Sequence, residues 1–213
     1  MAEKPILFND EMIRAILDGR KTQTRRPMRQ QPAGGVRFSM FTESGLEDGH
    51  GREVSSAFQP GDILWVRETW KPTRCGFDDS VSYVRYRADD TRLEIRHDIQ
   101  GYITDHWRPS IHMLRWASRI TLEVTDVRAE RVQDMTQADA AAEGAGPWWN
   151  PSDVVHTPDD PSMYCWKKVP EDKRDYLRGF VILWDSIYAK RGLGWEQNPW
   201  VEAVTFVVRE VRE

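Results

Sequence analysis

Apolar residues near the start of the chain recur at helical spacing and predict a short amphipathic helix. Four of them share one helical face: Met12, Ile13, Ile16 and Leu17. Asn9 or Asp10 is a suitable N-terminal cap, and Gly19 suits the left-handed position that commonly follows a helix. The basic residues 20–29, with five cations and no acid, therefore begin where this helix ends.

Alternating apolar and polar residues predict strands in the middle and at the end of the chain. The strongest alternation covers residues 119–132, where Ile120, Leu122 and Val124 share one face. Residues 61–70 follow a Gly-Asp turn and predict another strand. The remaining strand candidates are residues 81–88, the weaker 91–97, and the closing stretch 200–211.

Two further helices are predicted in the second half of the chain. Thr136 and Asp139 have the spacing of a capping box, and Gly144 is placed to end the short helix that they begin. Residues 174–192 predict a longer helix with a broad apolar face. That face consists of Tyr176, Leu177, Phe180, Leu183, Trp184 and Ile187.

The mixture of strands and short helices indicates the fold class. Strands in mixed order with two or three short helices favour an α+β domain built on a small, closed β-barrel. Residues 27–60 are rich in Pro, Gly and Ser and predict a long loop or flap. A length of 213 residues favours a single domain.

Composition and charge narrow the class of protein. With 34 acidic and 30 basic residues, the net charge of −4 argues against a histone-like nucleic-acid binder. Ten tryptophans indicate either an aromatic core or surfaces that stack on flat ligands. No apolar stretch approaches the ~20 residues of a membrane span, and no signal peptide is evident. With only Cys75 and Cys165, we expect a cytoplasmic protein with reduced thiols and no membrane partner.

The usual motifs for metals and cofactors are missing from the sequence. The five histidines and two cysteines form neither an HxxxH nor a CxxC spacing. A Walker loop, a dinucleotide-binding fingerprint and a GxSxG elbow are also missing. The sequence therefore predicts a protein with no metal and no cofactor.

Lys21 and Thr24, just past the first helix, are the residues best suited to chemistry. A Thr hydroxyl becomes a nucleophile when a neighbouring base removes its proton, and a desolvated Lys can serve as that base. A spacing of three puts the two side chains on opposite faces of a regular strand, so this chemistry requires irregular backbone around Thr22. The alternative, which spacing alone favours, is a solvated basic turn.

The stretch ILFNDEMIRAILDGRKTQTRR, residues 6–26, resembles the N-terminal signature of ASCH domains, which belong to the PUA-like barrel superfamily. It is similar in particular to the small bacterial N4-acetylcytidine amidohydrolases. Weaker matches follow in the same order: GDILWV, then ITLEVTDV with Met135-Thr136 and Glu143, and then the last strand. The whole chain also resembles the longer ASCH-like proteins of bacteriophages and prophages, so the resemblance implies a PUA-like ASCH fold.

The resemblance also implies a reaction, the removal of the acyl group from N4-acylated cytosine nucleosides or bases. It implies that Lys21 is the activating base, Thr24 the nucleophile and Glu143 the proton shuttle or orienting acid. The implied partner is thus a small modified cytosine nucleoside, and the implied mechanism needs no metal. Without the family, the simpler interpretation of Glu143 is an exposed carboxylate at a helix end.

Four further residues are candidates for substrate binding. Arg26 matches the family's Arg after the Thr and suits a phosphate or a base carbonyl; the alternative is a surface ion pair. Glu68 and Trp70, at the end of the strand predicted over residues 61–70, are candidates for lining the pocket. Trp116 is suited to stacking on a nucleobase. For both tryptophans, packing in the core is the more ordinary role.

Three stretches have no counterpart in the compact amidohydrolases, and they are predicted to be insertions into a single domain that spans residues 1–213. They are residues 27–60, 71–118 and 145–175. Such insertions suit a lid, a wider pocket or a groove for an RNA chain. Five tryptophans in or beside them are candidates for substrate specificity: Trp107, Trp116, Trp148, Trp149 and Trp166.

An RNA-binding module is the alternative function. In it the cations of the basic segment contact phosphates while tryptophans stack on bases. Those cations are Arg20, Lys21, Arg25, Arg26 and Arg29. An RNA-cleaving enzyme that uses the same cleft is the weaker variant of this alternative.

Overall fold

The computed structural model describes residues 2–38, 40, 46–74, 82–95, 102–146 and 175–212. The chain divides into two compact units. Unit 1 comprises Met1–Thr22, Ala57–Val127 and Val204–Glu213, and unit 2 comprises Gln23–Ser56 and Arg128–Ala203. The single domain over residues 1–213 stays a prediction, because the presence of two compact units does not show whether either folds independently.

Strands and a few helices make up the described residues, which confirms the α+β class. The strands are β1 Glu3–Leu7, β2 Gln23–Pro27, β3 Val36–Phe38, β4 Leu46–Asp48, β5 Ile63–Arg67, β6 Trp70–Arg74, β7 Ser82–Tyr86, β8 Arg92–Ile95, β9 Ile120–Arg131 and β10 Trp200–Val211. The α-helices are α1 Asp10–Leu17, α2 Gln137–Ala142 and α3 Tyr176–Tyr188. No described helix is long and apolar enough to cross a membrane.

The larger sheet of unit 1 follows the order β1-β5-β9-β10. Strand β1 is parallel to β5, and β5 is antiparallel to β9 with Leu64 opposite Leu122. Alternate residues of these strands pack with α1 in one apolar cluster, because side chains one position apart point to opposite faces of a sheet. The buried residues of this cluster are Ile6, Phe8, Ile13, Ile16, Leu64, Val66, Ala88, Ile120, Leu122, Val124, Val204 and Phe206.

Helix α1 has the ends that its sequence predicts. The Asn9 side chain accepts a hydrogen bond from the Met12 N–H at 2.9 Å, which caps the first turn. Gly19 has a φ of 71°, in the left-handed region that ends many helices. The backbone N–H groups of Arg20 and Lys21 both donate to the Ala15 carbonyl, at 2.8 and 2.9 Å, as the chain leaves the helix.

A second, antiparallel sheet of unit 1 has the order β6-β7-β8. It confirms the strands predicted over 81–88 and 91–97. The single strand predicted over 61–70 is wrong, because the chain leaves β5 after Arg67 and re-enters a different sheet at Trp70. One face of this sheet packs on two 3-10 turns, Ser110–His112 and Arg115–Ala117. The buried cluster there consists of Trp70, Val84, Tyr86, Leu93, Ile95, Met113 and Ala117.

Unit 2 contains β2, the end of β9, the start of β10 and two helices, α2 and α3. Thr136 caps α2 and forms the predicted capping box with Asp139, and Gly144 follows the helix at a φ of 73°. Helix α3 packs its apolar face on α2, as its periodicity predicts. The buried core of unit 2 consists of Val132, Met135, Ala140, Ala145, Phe180, Trp184, Tyr188 and Val201.

The loop predicted over residues 27–60 is wrong in part. It contains the antiparallel pair β3–β4, with Val36 opposite Asp48 and Arg37 opposite Glu47. Strands of three residues are shorter than the window in which alternation becomes visible. Residues 147–174, which make up nearly all of the third predicted insertion and include Trp148, Trp149 and Trp166, lie outside the described residues.

The described strand pairings do not close into a barrel. In unit 1 the order is β1-β5-β9-β10, and in unit 2 the neighbouring strands are β9, β10 and β2. Both are linear orders. The closed PUA-like barrel therefore stays a prediction beside the confirmed α+β class.

A Gly-Asp turn ties the start of β5 to β1 in unit 1. Gly61 has a φ of 86°, where a glycine carries no steric penalty. The buried Asp62 carboxylate accepts three hydrogen bonds: from Lys4 Nζ at 2.6 Å, Ala2 N at 2.9 Å and Gln59 N at 3.0 Å. Burial alone would raise the pKa of Asp62, but these donors, Lys4 foremost, hold it below its ordinary value.

We expect Asp62→Asn to lower the free energy of unfolding at neutral pH by about 1–3 kcal/mol, because hydrogen bonds to a charged acceptor are lost. A carboxyl whose pKa is lowered on folding stabilises the protein above its ordinary pKa of 3.8 and loses that contribution as the pH falls through the lowered value. Urea denaturation of both proteins should therefore show their stabilities converging in acid. A difference that stays constant down to about pH 2 would contradict this role.

Candidate active site

Lys21 is buried in unit 1, with 1% of its surface exposed. Its backbone N–H is fixed by the Ala15 carbonyl, and its Nζ lies 5.4 Å from the centroid of the Phe8 ring. The solvated basic turn is therefore wrong for this residue. Burial removes the Lys21 amine from water, which is the condition under which lysines act as bases.

The backbone between Lys21 and Thr24 is irregular, as the proposed chemistry requires. Lys21 forms an isolated bridge, Thr22 belongs to no strand, and β2 begins at Gln23. In unit 1 the Thr22 carbonyl accepts a hydrogen bond from the Phe206 N–H at 2.9 Å, which fixes the chain at this point. The three-residue spacing consequently does not impose the opposite orientations of a regular strand.

Thr24 and Arg25, which follow each other in β2, are both buried, with 2% and 3% of their surfaces exposed. Side chains of consecutive strand residues point to opposite faces, so both faces of β2 are covered at this point. The sequence of β2, QTRRP, has no large apolar side chain that would favour this burial. The burial of Arg25 depends instead on charged partners.

Three carboxylates of unit 2 surround the Arg25 guanidinium. Nη2 lies 2.7 Å from Glu130 Oε1 and 3.4 Å from Asp139 Oδ1, and Nη1 lies 3.3 Å from Glu143 Oε1. Arg25 Nε also donates to Glu130 Oε1 at 2.8 Å. These carboxylates replace the water that the buried guanidinium has lost. Arg25 in turn neutralises part of the charge of the three acids.

Glu143 lies at the C-terminal end of α2 and is buried, with 4% of its surface exposed. Its backbone N–H donates to the Asp139 carbonyl at 2.9 Å, and its carboxylate faces Arg25. The exposed helix-end carboxylate is therefore wrong as an interpretation. The small residue Ala140, fully buried, belongs to the core that α2 shares with α3, where its size permits a close approach of the two helices.

The acids around Arg25 outnumber the cations in this part of unit 2. Arg128 is the second cation, with Nε 3.4 Å from Glu130 and Nη2 3.6 Å from Asp139. Burial would raise the pKa of Asp139, but hydrogen bonds from the Thr136 backbone and hydroxyl, together with Arg25, hold it below its ordinary value. Asp139 is therefore ionised at neutral pH, and it serves both the helix cap and Arg25.

The partners of Arg25 could not be found from the sequence. Its pattern makes Arg25 a candidate phosphate contact and Asp139 a capping residue, and it predicts no role for Glu130. Arg128 and Glu130 lie two residues apart on β9 and therefore share a face. This spacing is common on exposed strands, so it is only a weak signal of a buried group of charges. Only the packing of β9, β2 and α2 in unit 2 brings these charges together.

Arg26, predicted to bind substrate, lies beside Tyr188 in unit 2. Its Nη1 is 3.4 Å from the Tyr188 hydroxyl, and the Tyr188 ring packs on Trp184 with their centroids 4.4 Å apart. Arg26 is half-buried. Its guanidinium is thus held against the aromatic side of α3, and its role toward a substrate stays a prediction.

Glu68, predicted to line the pocket, is buried in unit 1 and bound by Arg119. Arg119 Nε and Nη2 donate to the two carboxylate oxygens at 2.9 Å each. The same guanidinium donates to Asp89 at 2.8 Å, and its Cζ lies 4.1 Å from the centroid of the Tyr86 ring. Burial raises the pKa of Glu68, although Arg119 opposes this. The ion pair explains the buried position of Glu68 without a substrate.

Trp70 and Trp116 belong to an aromatic cluster in unit 1. Trp70 is fully buried, and its ring meets Trp116 edge-on with centroids 5.7 Å apart. The half-buried Trp116 also contacts Tyr102, at 5.8 Å. Packing on the β6-β7-β8 sheet thus accounts for both tryptophans, while stacking of Trp116 on a nucleobase stays untested.

Of the predicted catalytic residues, unit 1 holds Lys21, and unit 2 holds Thr24 and Glu143. The chain links them closely, because two residues three apart have Cα atoms within about 11 Å. Arg25, which binds Glu143, points to the opposite face of β2 from Thr24. The convergence of the three side chains on one substrate stays a prediction. Within the described residues, no group of three or more His, Cys, Asp or Glu side chains is arranged to hold a metal ion.

Comparisons with known proteins give two similar structures. No family model and no curated protein matches the chain. A DUF984 protein from Enterococcus faecalis V583 is 10% identical with a TM-score of 0.41, over 99% of this chain and 82% of that chain. An ASCH domain from Lactobacillus crispatus JV V101 is 11% identical with a TM-score of 0.37, over 97% and 79%. The second is a member of the family that residues 6–26 resemble, and neither similarity bears on the activity.

Proposed function

We propose that this protein is a metal-independent amidohydrolase that removes the acyl group from N4-acylated cytosine nucleosides or bases. One observation carries the proposal: Lys21, Thr24 and Glu143, which the ASCH resemblance singles out, are all buried. Burial is costly for polar side chains and is retained where they are paired or used. A closed PUA-like barrel and a cytoplasmic location are part of the same proposal.

The first step is acyl transfer to the enzyme. Lys21 Nζ, as the neutral amine, takes the proton from Thr24 Oγ while Oγ forms a bond to the acyl carbonyl carbon. The electron pair of the carbonyl moves to oxygen. When this electron pair re-forms the carbonyl, the bond between the acyl carbon and N4 breaks. N4 then leaves as the free amine with a proton that Lys21 or Glu143 delivers.

The second step restores the enzyme. A water molecule attacks the Thr24 ester, the carboxylic acid is released, and Oγ regains its proton. Arg25 has a positioning role in the first step, because its guanidinium fixes the Glu143 carboxylate. Direct attack by water, with Thr24 only positioning it, would need the same three residues and leave no ester.

A panel of N4-acylated cytosines and cytidines, scored for release of the free amine, tests the proposal. We expect turnover of at least one N4-acyl compound in the presence of a chelator and no turnover of O-acylated nucleosides. Mass spectrometry of the protein during turnover should show the added acyl group on the peptide that contains Thr24. If no member of the panel is hydrolysed, the proposed function is wrong.

RNA binding by the basic segment has less support from the geometry. Lys21 is buried against Phe8, and the Arg25 guanidinium is surrounded by three carboxylates of unit 2. A phosphate would have to replace acids that already neutralise Arg25. Of the five cations in this segment, Arg20 and Arg29 are the exposed ones, and Arg20 is paired with Asp18.

A further inference from the structure

A row of three cations crosses the β6-β7-β8 sheet of unit 1. Lys71 on β6 lies directly opposite Arg85 on β7, and Arg85 lies directly opposite Arg92 on β8. Their neighbours along the strands, Trp70, Tyr86 and Leu93, point to the other face and form the apolar core. The sheet is therefore amphipathic, with an apolar inner face and a charged outer face that carries these three cations and Glu94, which lies opposite Tyr83.

Like charges at directly opposite positions weaken a sheet, whereas opposite charges there would stabilise it. The outer face of this sheet does not need cations for folding, since the inner face supplies the buried contacts. The compensation is partial: Asp90 pairs with Arg85 at 2.5 Å, and Lys71 Nζ donates to the Asp105 backbone carbonyl at 2.9 Å. The contacts of the folded sheet therefore do not by themselves explain a row of three cations.

The cations line a concave surface with a volume of about 770 Å³. Among the described residues of its lining, the charged ones are Lys71, Arg74, Arg85, Arg92, Asp90 and Asp105, four cations against two acids. A concave surface with an excess of positive charge concentrates anions, because its walls of low dielectric constant focus the field. The ligand that fits this surface is therefore negatively charged.

Two aromatic rings lie among these cations. Tyr83, on the same face of β7 as Arg85, lines the concave surface, and the Arg92 guanidinium lies 5.6 Å from its centroid. The Trp107 ring lies 5.9 Å from the Arg85 guanidinium and is 37% exposed. Partly accessible rings beside guanidinium groups are surfaces on which unpaired bases stack.

We propose that the outer face of the β6-β7-β8 sheet binds single-stranded nucleic acid. Phosphates contact the row formed by Lys71, Arg85 and Arg92, and bases stack on Tyr83 and Trp107. The row spans two strand spacings, about 10 Å, so it suits a chain of phosphates better than one phosphate group. This surface shares no residue with the set Lys21, Thr24 and Glu143, and the proposal does not depend on the proposed function.

Fluorescence anisotropy with a labelled single-stranded RNA of about 12 nucleotides, and with DNA of the same sequence, tests the proposal. The variant Lys71→Gln/Arg92→Gln removes two phosphate contacts. It should reduce the slope of log affinity against log salt concentration by about 1.4 and weaken binding about 25-fold at 0.1 M salt. The matched control, Arg37→Gln/Arg115→Gln, removes the same charge at exposed arginines elsewhere and should stay within about three-fold of wild type.

Further measurements distinguish base stacking, and a purely structural role of the cations, from binding by charge alone. Tyr83→Leu should weaken binding at least about five-fold without changing the salt slope. Lys71→Gln/Arg92→Gln should keep or raise the Tm, because it relieves like-charge repulsion. Equal weakening in the two double variants would overturn the proposal, as would a lower Tm that accompanies the lost binding. Equally tight binding of a duplex or of polyglutamate would also overturn it, since neither offers unpaired bases.

Discussion

Replacing Thr24 by Ala is expected to slow the deacylation of N4-acetylcytidine at least about 1,000-fold, because a nucleophile has no substitute in a two-step mechanism. Thr24 is buried, but the change removes only a hydroxyl and a methyl group, so the fold should survive with a small loss of stability. The release of cytidine, followed by chromatography, measures the rate. Circular dichroism and thermal unfolding establish that the variant is folded.

Lys21→Met is expected to give a loss of similar size, because it removes the base while keeping an unbranched apolar side chain beside Phe8. Thr22→Ala is the matched control: it makes the same chemical change two residues from Thr24, at an exposed position. The control should retain nearly full activity. Wild-type rates in both Thr24→Ala and Lys21→Met would exclude the proposed catalytic residues.

Elements with one apolar face could be predicted from the sequence. Helix α1 and strand β9 bury helically spaced or alternate apolar residues in one core, so their periods are visible. Helix α2 is too short for a period to be informative. It was predictable from its capping box, because Thr136 and Asp139 satisfy backbone groups locally, whatever packs on the helix.

Strands β1 and β2 could not be predicted from alternation. Strand β1 has five residues, includes Pro5 and buries only Ile6. Strand β2 is polar, and it is buried because Arg25 meets Glu130 and Glu143, 105 and 118 residues later in the chain. Local patterns do not encode contacts between such distant charges, so no propensity argument identifies β2 as a buried strand.

At the candidate site, too, local sequence identifies some features, and contacts between residues far apart in the chain determine the others. The motif that contains Lys21 and Thr24, with Glu143 carried over by resemblance, identified three residues that are all buried. The setting of Glu143 beside Arg25 depends on how α2 packs in unit 2. Sequence patterns therefore indicated which residues to consider, and the tertiary structure supplied the partners that fix Glu143.

Arg119→Met is expected to lower the free energy of unfolding by about 3–5 kcal/mol, the usual loss when one partner of a buried ion pair is removed. Glu68 has 1% of its surface exposed, and Arg119 binds both of its oxygens. Without the guanidinium, a carboxylate remains buried with its main counter-charge gone. The carboxylate must then take up a proton or disrupt the packing around it, and urea denaturation measures the resulting loss.

Two comparisons identify the buried charge as the cause. Glu68→Leu/Arg119→Met should recover much of the loss, because it removes both charges and keeps the volume, whereas Asp89 is partly exposed and can be hydrated. Arg87→Met breaks an exposed pair with Asp10 and should cost less than about 1 kcal/mol.

Burial raises the pKa of Glu68, and Arg119 opposes that effect, so losing Arg119 raises the pKa further. A raised pKa means that stability falls as the pH rises, so the defect of Arg119→Met should shrink in acid. Equal losses for Arg87→Met and Arg119→Met, or a defect independent of pH, would show that lost packing rather than buried charge sets the stability.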